Sequence, residues 1–313
     1  MKRIFFLSLA MLLCAAGMSI AAVRLWPLET PKADAETVFT VLTDGETRET
    51  TMADYLVGVV AAEMPASFEP EALKAQAIAA RSYILDRAAH PVEAHRDAAV
   101  CGDPGCCCAH VSEDEMRENW GRDFRKNLRR IRNAVRETDG QRLTYEGEPI
   151  RAVFHSCSGG QTEASAALWG AVPYLVSVSS PETAADVPGF ETTVTVSAQD
   201  AAQALETALP EDPAQWLGET ARDESGRVET ISIGGKTLSG AEARSLFSLR
   251  STNFTAEAAD GTLVFHVIGS GHGVGMSQYG ANVMAQQGAA YQEILAHYYP
   301  GTALEPDGAN SPE

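Results

Sequence analysis

Residues 38–88 read VFTVLTDGETRETTMADYLVGVVAAEMPASFEPEALKAQAIAARSYILDRA. Val38 to Val60 alternates, breaks at Asp44-Gly45 and alternates again, which predicts a hairpin leading into the first ordered region. Beyond Pro65 the period changes. Leu73, Ala77, Ala80 and Ile84 recur at helical spacing and form a stripe for burial; Ser67 stands where a cap is expected and Pro70 suits a first turn. Lys74 and Arg81 project from one side of that helix. A strand pair feeding a helix sets a mixed pattern that the rest of the chain continues.

Toward the C-terminus, helical periods cover Asp114 to Glu137, Ala198 to Leu209, Gly240 to Leu249, Ser277 to Gln287 and Tyr291 to Tyr299. Strand patterns cover residues 141–155 as a hairpin around Glu146-Gly147, then Leu175 to Val178, Thr192 to Val196, a hairpin at Gly234-Gly235, and Leu263 to Ile268. Strands and helices in irregular order, without a repeat, predict a mixed α/β (α+β) fold. Toward the N-terminus, Lys2 and Arg3 precede the uncharged run Ile4 to Val23, long enough for a transmembrane helix, with the short basic end held in the cytoplasm. The expected organisation is therefore a cytoplasmic tip and anchor at 1–29, a linker at 30–37, one large extracytoplasmic catalytic region with a substrate cleft at 38–305, and a flexible tail at 306–313. An uncleaved anchor, which the length of the run favours, makes this a single-pass protein of the cell membrane; a signal cleaved at Ser19-Ile20-Ala21 is the alternative.

Apolar residues make up 45% of the chain, enough for a substantial core, and 42 acids against 24 Lys and Arg give a net charge of −18. Nucleic-acid binding needs a basic stripe to neutralise phosphates. The one dense basic run, Arg122 to Arg136, has apolar residues interleaved at helical spacing and reads as a solvated helix face, so no nucleic-acid partner is expected.

Four segments carry chemistry. In Val59 to Pro65 (VVAAEMP), Glu63 follows four apolar residues; an apolar setting raises a carboxyl pKa and keeps a proton available for a leaving oxygen. Capping or salt-bridging the next helix is the competing role. In HRDAAVCGDPGCCCAH, His95, Cys101 and Cys107 are zinc-type ligands, with Cys106, Cys108 and His110 able to substitute; a disulfide is equally open on residue chemistry. In FHSCSGGQTE, followed by Trp169-Gly170 and Pro173-Tyr174, hydroxyls such as Ser156 and Ser158 and rings such as Tyr174 suit a sugar, and a satisfied loop outweighs thiol catalysis by Cys157. In GSGHGVGMSQYG, His272, Ser277, Gln278 and Tyr279 converge at a helix start. The missing lysine excludes a phosphate loop, and the missing acid and βαβ unit exclude a dinucleotide site.

These segments, in this order from Tyr55 to the ILAHYYPGT end, closely resemble the stage II sporulation protein D family, over roughly residues 38–305. The resemblance implies a peptidoglycan lytic transglycosylase acting during sporulation engulfment. Its substrate would be peptide-stripped (denuded) glycan, prepared by the amidase sporulation protein P, with membrane protein M of stage II recruiting both. The catalytic acid would be Glu63, with Lys74 and Arg81 required for function and expected to bind the lactyl carboxylate of muramic acid. Zinc on His95, Cys101 and Cys107 would be structural. The run of three cysteines, and His110 where the family usually has an aromatic, depart from the pattern and leave the ligand set open. A non-catalytic glycan-binding activator of an amidase is the main alternative; a zinc amidase using His95, His272 or His297 is the weaker one.

Overall fold

A computed structural model describes residues 33–306 of the 313-residue chain, apart from 44, 96 and 104. In chain order the helices are α1 (Ala33–Glu36), α2 (Met52–Glu63), α3 (Pro70–Ala89), α4 (Glu113–Trp120), α5 (Phe124–Glu137), α6 (Ala198–Leu205), α7 (Gly240–Leu246), α8 (Gln278–Gln286) and α9 (Tyr291–Tyr298). The strands are β1 (Val38–Thr43), β2 (Glu46–Thr51), β3 (Val100–Cys101), β4 (Gln141–Tyr145), β5 (Glu148–Pro149), β6 (Phe154–His155), β7 (Glu191–Ser197), β8 (Leu217–Arg222), β9 (Val228–Ile233), β10 (Lys236–Ser239), β11 (Phe254–Ala259), β12 (Thr262–Ile268), β13 (Met276–Ser277) and β14 (Ala303–Pro306).

The expected hairpin forms, with Val38 opposite Thr51, but alternation stops sooner than the pattern predicts. Thr51 accepts a hydrogen bond from the Asp54 amide and caps α2, so Met52, Tyr55, Leu56, Val59 and Val60 become the buried face of a helix. Short apolar runs fit both periods, and here the cap decides. Helix α3 is buried on most sides, from Ala72 to Ile84, because its alanines let neighbours approach: α2, α5, α8, α9 and β4 all pack on it. Glu69, not Ser67, occupies its cap position, without a side-chain bond, and Pro70 starts the helix. Residues 114–137 divide into α4 and α5 around a tight turn at Gly121–Asp123. Leu175 to Val178 is irregular rather than a strand.

Two hydrophobic clusters result. The first joins α2, α3, α5, α8 and α9 with β4 and β14. The second, entirely between residues 191 and 268, packs the antiparallel sheets β7-β12-β11 and β8-β9-β10 against α6 and α7 through Leu205, Trp216, Ile233, Phe247 and Phe265. It is an insertion within the first. The returning chain lies parallel to its outgoing one, Met276 pairing with Phe154 and Ser277 with His155. That junction positions the site.

The membrane part of the expected fold is corrected. Among the described residues no helix is long and apolar enough to cross a membrane. The longest, α3, carries Glu71, Lys74, Arg81, Asp86 and Arg87 and is covered by protein, not lipid. Ile4 to Val23 lies outside the described residues; over the described residues the fold class is mixed α/β, and no helix there supports single-pass anchoring. Part of the expected linker, residues 33–36, is instead the helix α1, with Asp34 buried. Residues 307–313, most of the expected tail, also lie outside the described part.

Candidate active site

Glu63 ends α2. Val59 and Val60 before it belong to the core, while its side chain lines a cleft of about 620 Å³ together with Arg87, Arg151, Trp169, Arg244 and His272. Burial pushes its carboxyl above the ordinary range, partly offset by donors from Gln278 and Ala109. Gln278 Nε2 reaches Oε2 at 2.9 Å and the Ala109 amide reaches Oε1 at 3.0 Å. A carboxyl held in place, partly desolvated and biased toward protonation is equipped for general acid work.

Gln278 is the first residue of α8. Ser277 caps that helix through the Gly280 amide and also donates to Glu182 at 2.7 Å. Glu182 was not singled out from the sequence, since it lies in an aperiodic segment. It is buried and accepts from the Ser158 amide at 2.8 Å, the Ser158 hydroxyl at 2.6 Å, and Ser180. Burial opposes its charge, but the hydroxyls of Ser158, Ser180 and Ser277 together hold its carboxyl below the usual range. This carboxylate thereby ties the 156–160 loop to the start of α8. Only glycine fits at Gly280, where a Cβ would meet the Tyr298 and Ser180 hydroxyls and the Glu182 carboxylate. Gly275, at φ +73°, packs a similar junction against the Val153 carbonyl.

The sequence-predicted residues separate into two groups. Glu63, Gln278 and His272 come together. His272 donates from Nε2 to the Phe154 carbonyl at 3.0 Å and accepts the Val274 amide on Nδ1 at 3.1 Å; burial lowers its pKa to about 4, so it is a neutral wall of the cleft. Tyr279 packs edge-on against Phe68 and donates its amide to the Ser156 carbonyl. Ser158 and Ser277 serve Glu182, and the Tyr174 hydroxyl accepts the Arg151 amide at 3.1 Å. Lys74 and Arg81 do not reach the cleft. Lys74 pairs with Glu71 and Glu137, each at 2.8 Å. Arg81 is 1% exposed, grips Asp34 with Nε and Nη2, and donates Nη1 to the Gln141 carbonyl.

Beside the cleft, ligand atoms of His95, Cys101, Cys106 and Cys107 lie within 4.8 Å of one another. His95 Nε2 is 3.0 Å from Cys106 Sγ and 3.7 Å from Cys107 Sγ. Adjacent cysteines face the same point because Cys106 and Cys107 both donate their amides to the Asp103 carbonyl in a tight turn. Three sulfurs and one imidazole are a donor set that suits a tetrahedral metal. Cys106 is thus the added member; His110 instead stacks on Tyr55, and Cys108 points into the core. The five described cysteines are free thiols. The cluster includes neither His272 nor His297, whose Nε2 donates to the Ser179 carbonyl. Burial pushes the Cys157 thiol up to about 12, as expected of a structural thiol and not of a nucleophile.

A family model described as stage II sporulation protein matches residues 43–145. Over 256 residues the chain is 42% identical to stage II sporulation protein D of Bacillus amyloliquefaciens, covering 81% of this chain and 74% of that protein. The chain belongs to the stage II sporulation protein D family. Its Bacillus subtilis (strain 168) member is 40% identical over 257 residues, covering 81% of this chain and 74% of that protein. The amidase enhancer of the same strain is more distant, 28% identical over 302 residues, covering 80% of this chain and 40% of that protein. The family match ends at residue 145, so Gln278, Glu182, Arg244 and His272 lie outside it, although the cleft joins three of them to Glu63 by contact or shared walls.

Proposed function

We propose that this protein is a lytic transglycosylase that cleaves the bond between N-acetylmuramic acid and N-acetylglucosamine in peptide-stripped glycan during engulfment. The observation that carries this is Glu63: a carboxyl biased toward its acid form, fixed by Gln278 and Ala109, and the single carboxylate among the described residues lining the cleft. Protonated Glu63 donates to the glycosidic oxygen as positive charge develops at the muramic C1. The resulting carboxylate then takes the proton of the C6 hydroxyl of that ring, whose oxygen closes on C1 to give a 1,6-anhydro end. One group suffices for both steps, whereas hydrolysis usually uses two carboxylates. Exposed Trp169, its ring 5.2 Å from that of His272, offers a stacking face for a pyranose.

Zinc fits His95, Cys101, Cys106 and Cys107 and would serve as a structural staple there, holding the loop whose Ala109 amide bonds Glu63. The amidase sporulation protein P and protein M of stage II are the partners this reading expects. A second reading, a non-catalytic glycan binder that activates an amidase, is favoured by the likeness to the amidase enhancer. Mass spectrometry of peptide-stripped strands incubated with residues 30–313 separates the two. Anhydro-ended sugars from wild type and none from Glu63→Ala support cleavage; no products from either support the binder.

A further inference from the structure

The cleft is cationic in a strongly acidic chain: Arg87, Arg151 and Arg244 line it against the one acid Glu63, while the whole protein carries 42 acids and 24 Lys and Arg. Arg87 is occupied by the hydroxyl and ring of Tyr83, and Arg151 by Asp86 at 3.1 Å. Arg244 differs. It stands on α7, in the inserted second cluster, and is half-buried. Among the described residues no carboxylate pairs with it, and its side chain makes one hydrogen bond, from Nε to the Leu249 carbonyl at 3.3 Å. Burial therefore works against its charge with nothing to offset it. Among the described residues the fully buried arginines have acids, Asp34 for Arg81 and Glu163 at 3.8 Å for Arg227, and half-buried Arg130 spends its guanidinium on the Ala66 and Phe68 carbonyls. In a chain with acids to spare, a half-buried guanidinium facing a cleft with its outer nitrogens free is a carboxylate receptor, because its planar fork matches two carboxylate oxygens.

We propose that Arg244 binds the free lactyl carboxylate of a peptide-stripped muramic acid ring in the Glu63 cleft, an assignment that rests on the glycan reading above. A stem peptide converts that carboxylate to a neutral amide, so this contact rewards stripped strands and gives nothing to peptide-bearing ones. It also takes over the recognition role that the sequence pointed to at Lys74 and Arg81, both of which are spent on internal acids. Substrate preference thus comes from the inserted cluster and catalysis from the first, with the cleft formed where they meet.

The test is equilibrium binding to a full-chain Glu63→Gln protein, which removes turnover, with two ligands: stripped glycan strands and the same strands with their lactyl carboxyls converted to methyl amides. Stripped strands are expected to bind about tenfold tighter or more, the scale of one charge-assisted pair. Adding Arg244→Gln should lower affinity for stripped strands to that for amidated ones and leave the amidated value unchanged, while Arg244→Lys recovers part of the preference. Should Arg244→Gln fail to fold, the Lys variant and the two ligands on the parent protein decide alone. Equal weakening toward both ligands, or a preference that survives the substitution, overturns the role of Arg244 and leaves the glycan reading standing. Binding to neither strand by the parent protein overturns both.

Discussion

Gln278 Nε2 donates to Glu63 Oε2 at 2.9 Å across 215 residues of chain. The bond joins the end of α2 to the start of α8, and the start of α8 is in turn held by Ser277 on Glu182. The proposed acid is therefore placed by both halves of the first cluster, on either side of an inserted module.

Glu63→Gln should abolish anhydro-product formation, by at least about a hundredfold for loss of a general acid. Stability should respond in the opposite sense. Burial raises the folded-state pKa of Glu63 above its unfolded value, so its favourable contribution is present below the unfolded pKa and lost as pH rises through the raised folded pKa. Glu63→Gln should thus melt higher than wild type on the alkaline side, with the difference shrinking in acid. Thermal melts across pH check this, and a difference that grows toward acid pH contradicts it.

Arg81→Ala should destabilise by about 3–5 kcal/mol, since it strands the buried Asp34 carboxylate without its cation. Protein that remains folded should bind stripped glycan as wild type does. Denaturant melts and binding on the folded fraction separate this from a substrate role, which would lower affinity without a comparable loss of stability.

Glu182→Gln probes the opposite pH limb. Hydrogen bonds hold the Glu182 carboxyl below its unfolded pKa despite burial, so its contribution is present above the unfolded pKa and lost as pH falls through the folded one. Wild type should lose stability on acidification more steeply than Glu182→Gln does. Because Ser277 leans on Glu182, the variant should also slow glycan cleavage by displacing Gln278. Parallel acid melts of the two proteins that coincide in slope would refute the first point.

Metal removal should lower the melting temperature by several degrees while altering cleavage by still-folded protein much less, as a structural metal requires. Cys106→Ser should reproduce part of this loss and Cys106→His should not, imidazole being an acceptable ligand in its place. Unchanged melting after chelation of a sample verified to be metal-loaded would count against a structural role.

Trp169→Ala should weaken glycan binding about tenfold with little change in melting temperature, because the ring is 55% exposed yet lines the cleft. Titration with stripped strands, paired with a melt, reads both.

Local pattern carried much of the fold. The hairpin before Thr51, the helix from Pro70, the turn at Glu146-Gly147 and the strand ending at Ile268 follow from period, turn residues and proline, which act over a few neighbours. Where two periods fitted the same run, as over Met52 to Val60, the cap at Thr51 decided for a helix. In the site, Glu63, Gln278, His95, Cys101 and Cys107 were legible as reactive types in unusual company. Glu182 was not, since no periodic or compositional signal surrounds it, and Cys106 was one of three adjacent cysteines until the Asp103 turn aimed it at His95.

The sequence by itself determined most of the turns and the strongly periodic elements, where an acid follows an apolar run, and the family to which these segments belong. The tertiary structure decided which cations are spent and which are free: Arg81 and Arg244 are the same chemistry, one closed on Asp34 and the other open to a cleft. The reason is that a side chain's identity is local, whereas its burial and its partner are set by segments far away in the chain, and the energy of a charge depends on both.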